Sequence, residues 1–133
     1  MKARTLLVLL AFAATVGPAL ALAAAQAPDL SGTWSGPIVL DTNEIDKLTL
    51  VLERTGSKYK GTVRDEMGII AAGTELRDIV LKDKALSFVL NLPPDKGNLL
   101  IKMSVVVEGE KMKGRWEDQQ NGVGGAVELV RAK

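Results

Sequence analysis

The chain has 133 residues, with 17 Lys and Arg against 16 Asp and Glu, and it contains neither His nor Cys. The commonest general base, the thiol nucleophile and the usual zinc ligands are therefore absent, and the near-neutral charge offers no basic surface to nucleic acid. We expect a protein that is not an enzyme, uses no cofactor or metal and does not bind nucleic acid.

The first 25 residues have the pattern of a secretory signal peptide. Lys2 and Arg4 precede an apolar run, and small residues allow cleavage after Ala23 or after Ala25. Gly17-Pro18 interrupts the run before it reaches the roughly 20 residues that a membrane-spanning helix needs. Because no Cys is present to carry a lipid anchor, we expect a periplasmic or secreted protein with no integral membrane segment after processing.

The remaining 108 residues, which are 133 less 25, are enough for one domain with one core. Apolar residues alternate along most of this part, as in Leu48, Leu50 and Leu52, and alternation is the period of a half-buried strand. Eight strands are predicted, at 32–40, 46–54, 58–65, 75–82, 85–91, 98–108, 111–118 and 123–131. The short turns between them are rich in Gly, Asp and Asn, which suits hairpins. The sequence predicts an all-β domain at 32–133, a single eight-stranded antiparallel up-and-down barrel, preceded by an N-terminal arm at 26–31.

An internal repeat at an offset of 53 residues supports a barrel of two similar halves. The hairpin that contains Gly61 is echoed by the hairpin that contains Gly114, with matching apolar and lysine positions around them. Each Gly shares a strand face with large apolar residues, where glycine permits a sharp bend or a close approach between strands. The alternative is that short hairpins resemble one another in general.

The strand that begins Gly32-Thr33-Trp34, together with Arg131 in the last strand, resembles the calycin barrels: the lipocalins, the fatty-acid-binding proteins and the avidin-streptavidin group. The first 35 or so residues of the domain look most like the avidin branch. In that branch, positions matching Gly36, Val63 and Asp65 help to hold biotin through polar, aromatic and hydroxyl groups. Those groups differ here, so the resemblance implies a lipocalin-like binding barrel and does not imply biotin binding.

Gly32, Trp34 and Arg131 are predicted to close one end of the barrel. Trp34 shares a strand face with Ile38, and Arg131 shares one with Leu129, so both side chains are expected to point inward at the same end. An Arg stacked on an indole contributes about 0.5–2 kcal/mol. In the competing interpretation Arg131 is a solvated residue near the terminus.

The preferred function is the binding of a small hydrophobic ligand by side chains that line the barrel. The candidate lining residues are Tyr59, Arg77, Phe88, Met103, Met112 and Trp116. Met suits an adaptable pocket, and Tyr59 or Arg77 could supply a polar anchor. The same residues would otherwise fill a dry core, since eight strands enclose little space. The apolar loop at 66–73 is a candidate lid or contact surface.

The alternative function is a protein-interaction or protease-inhibitor-type barrel that acts through its loops and its N-terminal arm. Small periplasmic barrels that inhibit secreted proteases resemble this chain in length and in their early Gly-x-Trp. Such inhibitors insert their N-terminal segment into the target, so residues 25–30 would be the inserting arm here. The sequence names neither the ligand nor the partner.

Overall fold

Residues 28–133 are described by the computed structural model, so the predicted signal peptide and the first residues of the arm lie outside the described residues. The described part contains nine strands and one 3-10 helix at Pro94–Lys96. The strands are β1 (Gly32–Val39), β2 (Ile45–Thr55), β3 (Lys58–Asp65), β4 (Thr74–Glu75), β5 (Arg77–Lys82), β6 (Ala85–Asn91), β7 (Leu100–Glu108), β8 (Lys111–Asp118) and β9 (Gly124–Arg131).

The strands form one antiparallel sheet in the order β4-β3-β2-β1-β9-β8-β7-β6-β5. Strands that are neighbours in sequence pair with each other, except β4 and β5, and β1 pairs with β9, so the sheet curls into an up-and-down barrel. The two outer strands of the sheet, β4 and β5, are separated only by Leu76. The Leu76 N–H donates to the carbonyl of Gly61 in β3 at 2.9 Å, so the barrel is nearly closed.

The all-β antiparallel barrel is confirmed, but the prediction of eight strands is wrong. The segment predicted as one strand at 75–82 is two strands that pair with different partners: β4 pairs with β3, and β5 pairs with β6. Between Arg77 and Val80 the register shifts, and Asp78 has a φ of 52°. A left-handed residue bends the strand, and Asp tolerates this conformation better than most residues.

The two halves of the repeat have the same strand register. Leu50 of β2 lies opposite Val63 of β3, and 53 residues later Met103 of β7 lies opposite Trp116 of β8. In both hairpins the glycine of the returning strand, Gly61 or Gly114, lies very close to the backbone of the preceding strand. A methyl group on Gly61 would lie 2.5 Å from a carbonyl oxygen in β2, and one on Gly114 would lie 1.9 Å from a carbonyl oxygen in β7. No larger side chain fits without moving the strands.

The core lies inside the barrel and is built from the inward-facing residues that the alternation predicts. Five of the core residues are fully buried: Trp34, Leu50, Leu90, Met112 and Leu129. At about 25 cal/mol per Å² of apolar surface, this burial is the main stabilising contribution in a domain without disulfides. Within residues 28–133, no helix is long and apolar enough to cross a membrane.

Candidate functional site

The barrel has two ends that differ in construction. The first, here called the Trp34 end, holds the start of β1, the last residue of β9 and the β2–β3, β5–β6 and β7–β8 turns. The second, here called the cavity end, holds the loops between β1 and β2 (40–44), β3 and β4 (66–73), β6 and β7 (92–99), and β8 and β9 (119–123). An antiparallel up-and-down barrel alternates its turns between the two ends, which is why each end collects every second connection.

The Trp34 end is covered by Arg131. The guanidinium carbon lies 4.5 Å from the centroid of the Trp34 ring, and Trp34 has 0% exposed surface. The same guanidinium donates to the carbonyl oxygens of Ser31 at 3.1 Å and Asp29 at 2.7 Å. It also forms an ion pair of 3.0 Å with Glu110, whose side chain is exposed. The structure therefore brings together the two residues that the sequence predicts as a closing pair.

The segment that precedes β1 packs across the same end. Leu30 is fully buried, its carbonyl accepts the indole N–H of Trp34 at 2.9 Å, and its N–H donates to the Tyr59 hydroxyl oxygen at 3.0 Å. Gly32, the third predicted closure residue, begins β1 with a φ of 126°, which favours glycine. Leu30 thus acts as a core residue in the described structure, held by side chains from β1 and β3.

An apolar cavity of about 260 Å³ opens at the cavity end. Its walls are mainly large aliphatic side chains from strands and loops, together with Trp116 and Met103. The lining residues are Ile38, Leu40, Asp41, Ile69, Ile70, Leu90, Leu92, Lys96, Leu99, Ile101, Met103, Trp116, Asp118 and Val123. A volume of this size lies just below the range of about 300–1,000 Å³ that is usual for ligand sites, so it suits only a small molecule.

Trp116 is fixed in the cavity wall by a long-range hydrogen bond. Its indole N–H donates to the carbonyl of Val39 at the end of β1, at 2.7 Å, and only 8% of the residue is exposed. Because the polar atom of the ring is satisfied by the protein, the remaining indole surface is available for apolar contact. The hydrogen bond therefore holds the Trp116 ring in one orientation, in which its apolar surface can contact a bound molecule.

Asp118 is the buried acid of the cavity wall. Its carboxylate accepts the side-chain N–H of Asn121 at 2.8 Å and the backbone N–H groups of Gln120 and Asn121 at 2.8 and 3.2 Å. The Asn121 side-chain bond is the main cause that holds the pKa of Asp118 below its usual value, against the opposing effect of burial. These bonds use the carboxylate oxygens to shape the β8–β9 loop. Lys96, which is exposed, is the cationic residue of the lining.

The β3–β4 loop supplies one wall of the cavity through Ile69 and Ile70. Their N–H groups donate to the two carboxylate oxygens of Asp65, at 2.9 and 2.7 Å, so the last residue of β3 holds the loop in place. The loop that the sequence marks as a candidate lid thus lies beside the cavity. Its other anchor is Asp46 at the start of β2, which accepts the N–H of Met67 at 3.1 Å.

The six predicted lining residues do not share one site. Met103 and Trp116 line the cavity, whereas Phe88 and Met112 are buried in the core outside it. Tyr59 is half-buried at the Trp34 end, and its hydroxyl contacts Leu30 and Pro28. Arg77 is exposed and donates to the side chain of Asn91. The other lining residues include inward-facing strand residues such as Ile38, Leu90 and Ile101, and a second group whose shared sequence signal is an aliphatic side chain within a loop: Leu40, Ile69, Ile70, Leu92, Leu99 and Val123.

The sequence matches no protein-family model and no curated protein. Among the described residues, no three acidic side chains group closely enough to hold a metal ion. The geometry of the cavity end is therefore the basis for assigning a function.

Proposed function

We propose that this protein is a calycin-type, lipocalin-like carrier, secreted or periplasmic and without enzymatic activity, that binds a small hydrophobic molecule at the cavity end. The observation that carries the proposal is the apolar cavity of about 260 Å³ at the end opposite to Trp34 and Arg131. The secretory part of the proposal rests on the signal-like pattern of the first 25 residues.

The chemistry of the cavity favours a compact, largely uncharged guest. The buried polar groups of the wall are engaged with the protein itself, the Trp116 N–H with Val39 and the Asp118 carboxylate with the β8–β9 loop, while the charged lining residues Asp41 and Lys96 are exposed to solvent. Burial of apolar surface would then supply most of the affinity, at about 25 cal/mol per Å². The absence of His and Cys agrees with a binding role.

Fluorescence titration with N-phenyl-1-naphthylamine, a neutral apolar probe, tests the proposal. Probe fluorescence should rise on binding, and energy transfer from Trp116 should accompany it because this indole lines the cavity. The matched pair of variants is Ile70→Ser, in the cavity wall, and Ile79→Ser, an equally half-buried residue of β5 outside it. Equal loss of binding in both variants, or no binding by the native protein, would contradict the proposal.

The second candidate is a protein-interaction barrel, and exposed apolar residues at the cavity end favour it. Ile45 is 69% exposed and Met67 is 51% exposed, and the two line one surface recess at the same end of the barrel. Replacing both with Ser should leave probe binding intact and abolish capture of a protein partner. An inhibitor of the arm-inserting type would need its inserting arm to end before Leu30, because Leu30 is buried in the barrel.

A further inference from the structure

Asp118 is the last residue of β8 and lies on the inward face of that strand. In the sheet it is opposite Ile101 of β7, which is opposite Leu90 of β6, and all three residues line the cavity. Trp116, two residues further from the end of β8, is opposite Met103, and both line the cavity too. A buried carboxylate at the end of the strand is thus followed along the same wall by apolar and indole surface.

The hydrogen bonds within the protein do not use the whole acceptor capacity of this carboxylate. An ionised carboxylate has about four acceptor positions, two on each oxygen. The Oδ1 atom of Asp118 accepts the backbone N–H groups of Gln120 at 2.8 Å and Asn121 at 3.2 Å. The Oδ2 atom accepts the side-chain N–H of Asn121 at 2.8 Å. Within residues 28–133, one acceptor position of Oδ2 therefore has no donor, and a guest that supplies one gains a charge-assisted hydrogen bond.

Backbone hydrogen bonds fix the position of Asp118. Its N–H donates to the carbonyl of Val123, and its carbonyl accepts the N–H of Gly122, both at 2.8 Å. The loop that follows is also attached to β7, because the Gln119 N–H donates to the carbonyl of Leu100 at 2.9 Å. An acceptor that is already held in place loses little conformational entropy when it binds a donor, so the carboxylate is preorganised for a guest.

The charges of the cavity lining disfavour an anionic guest. Asp41 and Lys96 line the cavity together with Asp118, so two carboxylates are present against one ammonium group. Asp41 and Lys96 are exposed and screened by solvent, whereas Asp118 is only 2% exposed. The hydrogen bond from the Asn121 side chain holds the pKa of Asp118 below its usual value, so this carboxyl group is ionised at neutral pH. A carboxylate of a guest would meet a like charge there, whereas a neutral N–H or O–H group donates to it.

We propose that Asp118 selects an uncharged apolar guest with one N–H or O–H donor, which binds the remaining acceptor position of Oδ2 while the apolar part contacts Met103 and Trp116. This role of Asp118 rests on the proposed function, because it defines the class of ligand that the same cavity binds. A cationic guest would lose its hydration on entering an apolar cavity, which favours a neutral donor. Apolar burial supplies most of the affinity, and the hydrogen bond discriminates among guests of similar size.

Competition against N-phenyl-1-naphthylamine at neutral pH tests this selectivity with bicyclic guests of matched size. Indole has one N–H donor, indene has a methylene group in its place, and benzofuran has an oxygen atom that cannot donate. Indole should displace the probe at about one-tenth of the concentration that indene requires, because it alone makes a hydrogen bond to a charged group. Benzofuran should bind no more tightly than indene. Equal affinities for indole and indene would overturn the proposal.

The informative variant is Asp118→Asn. The Asn oxygen can still accept the two backbone N–H groups, but an NH₂ group replaces Oδ2, so the preference for indole over indene should fall to about one. The matched control is Asp65→Asn, at the equivalent position of the other hairpin, where the carboxylate also holds a loop but does not line the cavity. A loosened loop lowers both affinities together, so this control should keep the preference of about tenfold. Full preference in Asp118→Asn, or equal loss of preference in both variants, would refute the role of Asp118.

A second pair of guests distinguishes Asp118 from Lys96 as the polar anchor. 1-Octanol and octanoate have the same chain length, and 1-octanol should bind more tightly because it donates to Asp118 while octanoate meets a like charge. Tighter binding of octanoate would identify Lys96 as the anchor and overturn the proposal. If neither the probe nor any guest binds, the proposed carrier function fails, and the role of Asp118 fails with it. If guests bind with no preference for a donor, the carrier function stands and only the role of Asp118 fails.

Discussion

The two ends of the barrel are closed in different ways. At the Trp34 end a cation, an indole and the buried Leu30 pack together, and the indole N–H and the two terminal guanidinium nitrogens donate to backbone carbonyls. At the cavity end four loops surround an apolar space of about 260 Å³. Two of these loops are anchored by inward-facing carboxylates, those of Asp65 and Asp118. The Trp34 end is therefore closed by packed side chains, whereas the cavity end is open and bordered by loops.

The difference shows how one strand framework can separate stability from function. Apolar burial with matched hydrogen bonds gives a rigid closure, because displacing any part of it exposes a buried group. Loops held by a few hydrogen bonds to side chains open at a smaller free-energy cost. We therefore expect substitutions at the Trp34 end to change stability and substitutions at the cavity end to change binding.

The largest expected effect is that of Trp34→Ala. Removing a fully buried indole leaves a cavity that the surrounding strands cannot fill, which typically destabilises a protein by about 3–5 kcal/mol. Urea denaturation should show this loss, with apolar-probe affinity unchanged under conditions where the variant is folded. A loss below about 1 kcal/mol would mean that the plug is not a principal element of the core.

Arg131→Ala should have the next largest effect, about 2 kcal/mol, because it removes the stacking contact and two charge-assisted hydrogen bonds. In the double variant with Trp34→Ala the two losses should overlap, giving a coupling energy of at least about 0.5 kcal/mol. Denaturation of the single and double variants measures that coupling. Additive losses would show that the guanidinium is held independently of the ring, and Arg131→Lys would show how much depends on its planar geometry.

At the cavity end, Ile70→Ser should weaken probe binding by about tenfold, since the contact of one aliphatic side chain with a guest is worth about 1–1.5 kcal/mol. The cost in stability should stay near 1 kcal/mol because Ile70 is only half-buried. Ile79→Ser should give a similar stability cost with unchanged affinity. Probe titration and denaturation of both variants would show whether only Ile70→Ser loses probe affinity while the two variants lose similar stability.

The smallest expected effect concerns Asp118. Because hydrogen bonds hold its folded-state pKa below the usual value, its contribution to stability is present above the ordinary carboxyl pKa and declines as the pH falls through the lowered one. Asp118→Asn should therefore reduce stability at neutral pH and flatten the acid limb of the stability profile. Thermal melts from about pH 7 to about pH 3 compare the variant with the native protein. An unchanged acid limb would contradict the role given to its hydrogen bonds.

The barrel and the pairing of Trp34 with Arg131 at one end could be predicted from the sequence. Strict alternation in segments such as 48–52 identifies inward-facing residues, and strand parity brings Trp34 and Arg131 to one end. The ninth strand was missed because the sequence around Leu76, which is buried, reads as one continuous strand, while the change of pairing partner depends on the backbone at Asp78. Alternation in the sequence shows which side chains point inward, but it does not show with which neighbouring strand a segment forms hydrogen bonds.

The candidate site was predictable only in part. Met103 and Trp116 were found because they alternate within strands, and the loop at 66–73 was marked by its apolar residues. Leu92 and Leu99 were missed because loop residues have no fixed period, and their inward orientation is set by the turn around Pro94–Lys96. Tyr59 and Arg77, predicted as polar anchors, lie outside this cavity, because alternation along a strand does not give the level of the barrel at which a residue lies.

The contacts that close the Trp34 end also bear on how the chain folds. The hydrogen bonds from Arg131 reach back across 100 residues to Ser31 and 102 residues to Asp29, whereas each hairpin joins residues that are near neighbours in sequence. Contacts of such long range require the loss of much chain entropy before they contribute. The hairpins can therefore form early and separately, and the indole remains accessible to solvent until the first and last strands meet. The fluorescence of Trp34 would then report the final step of folding.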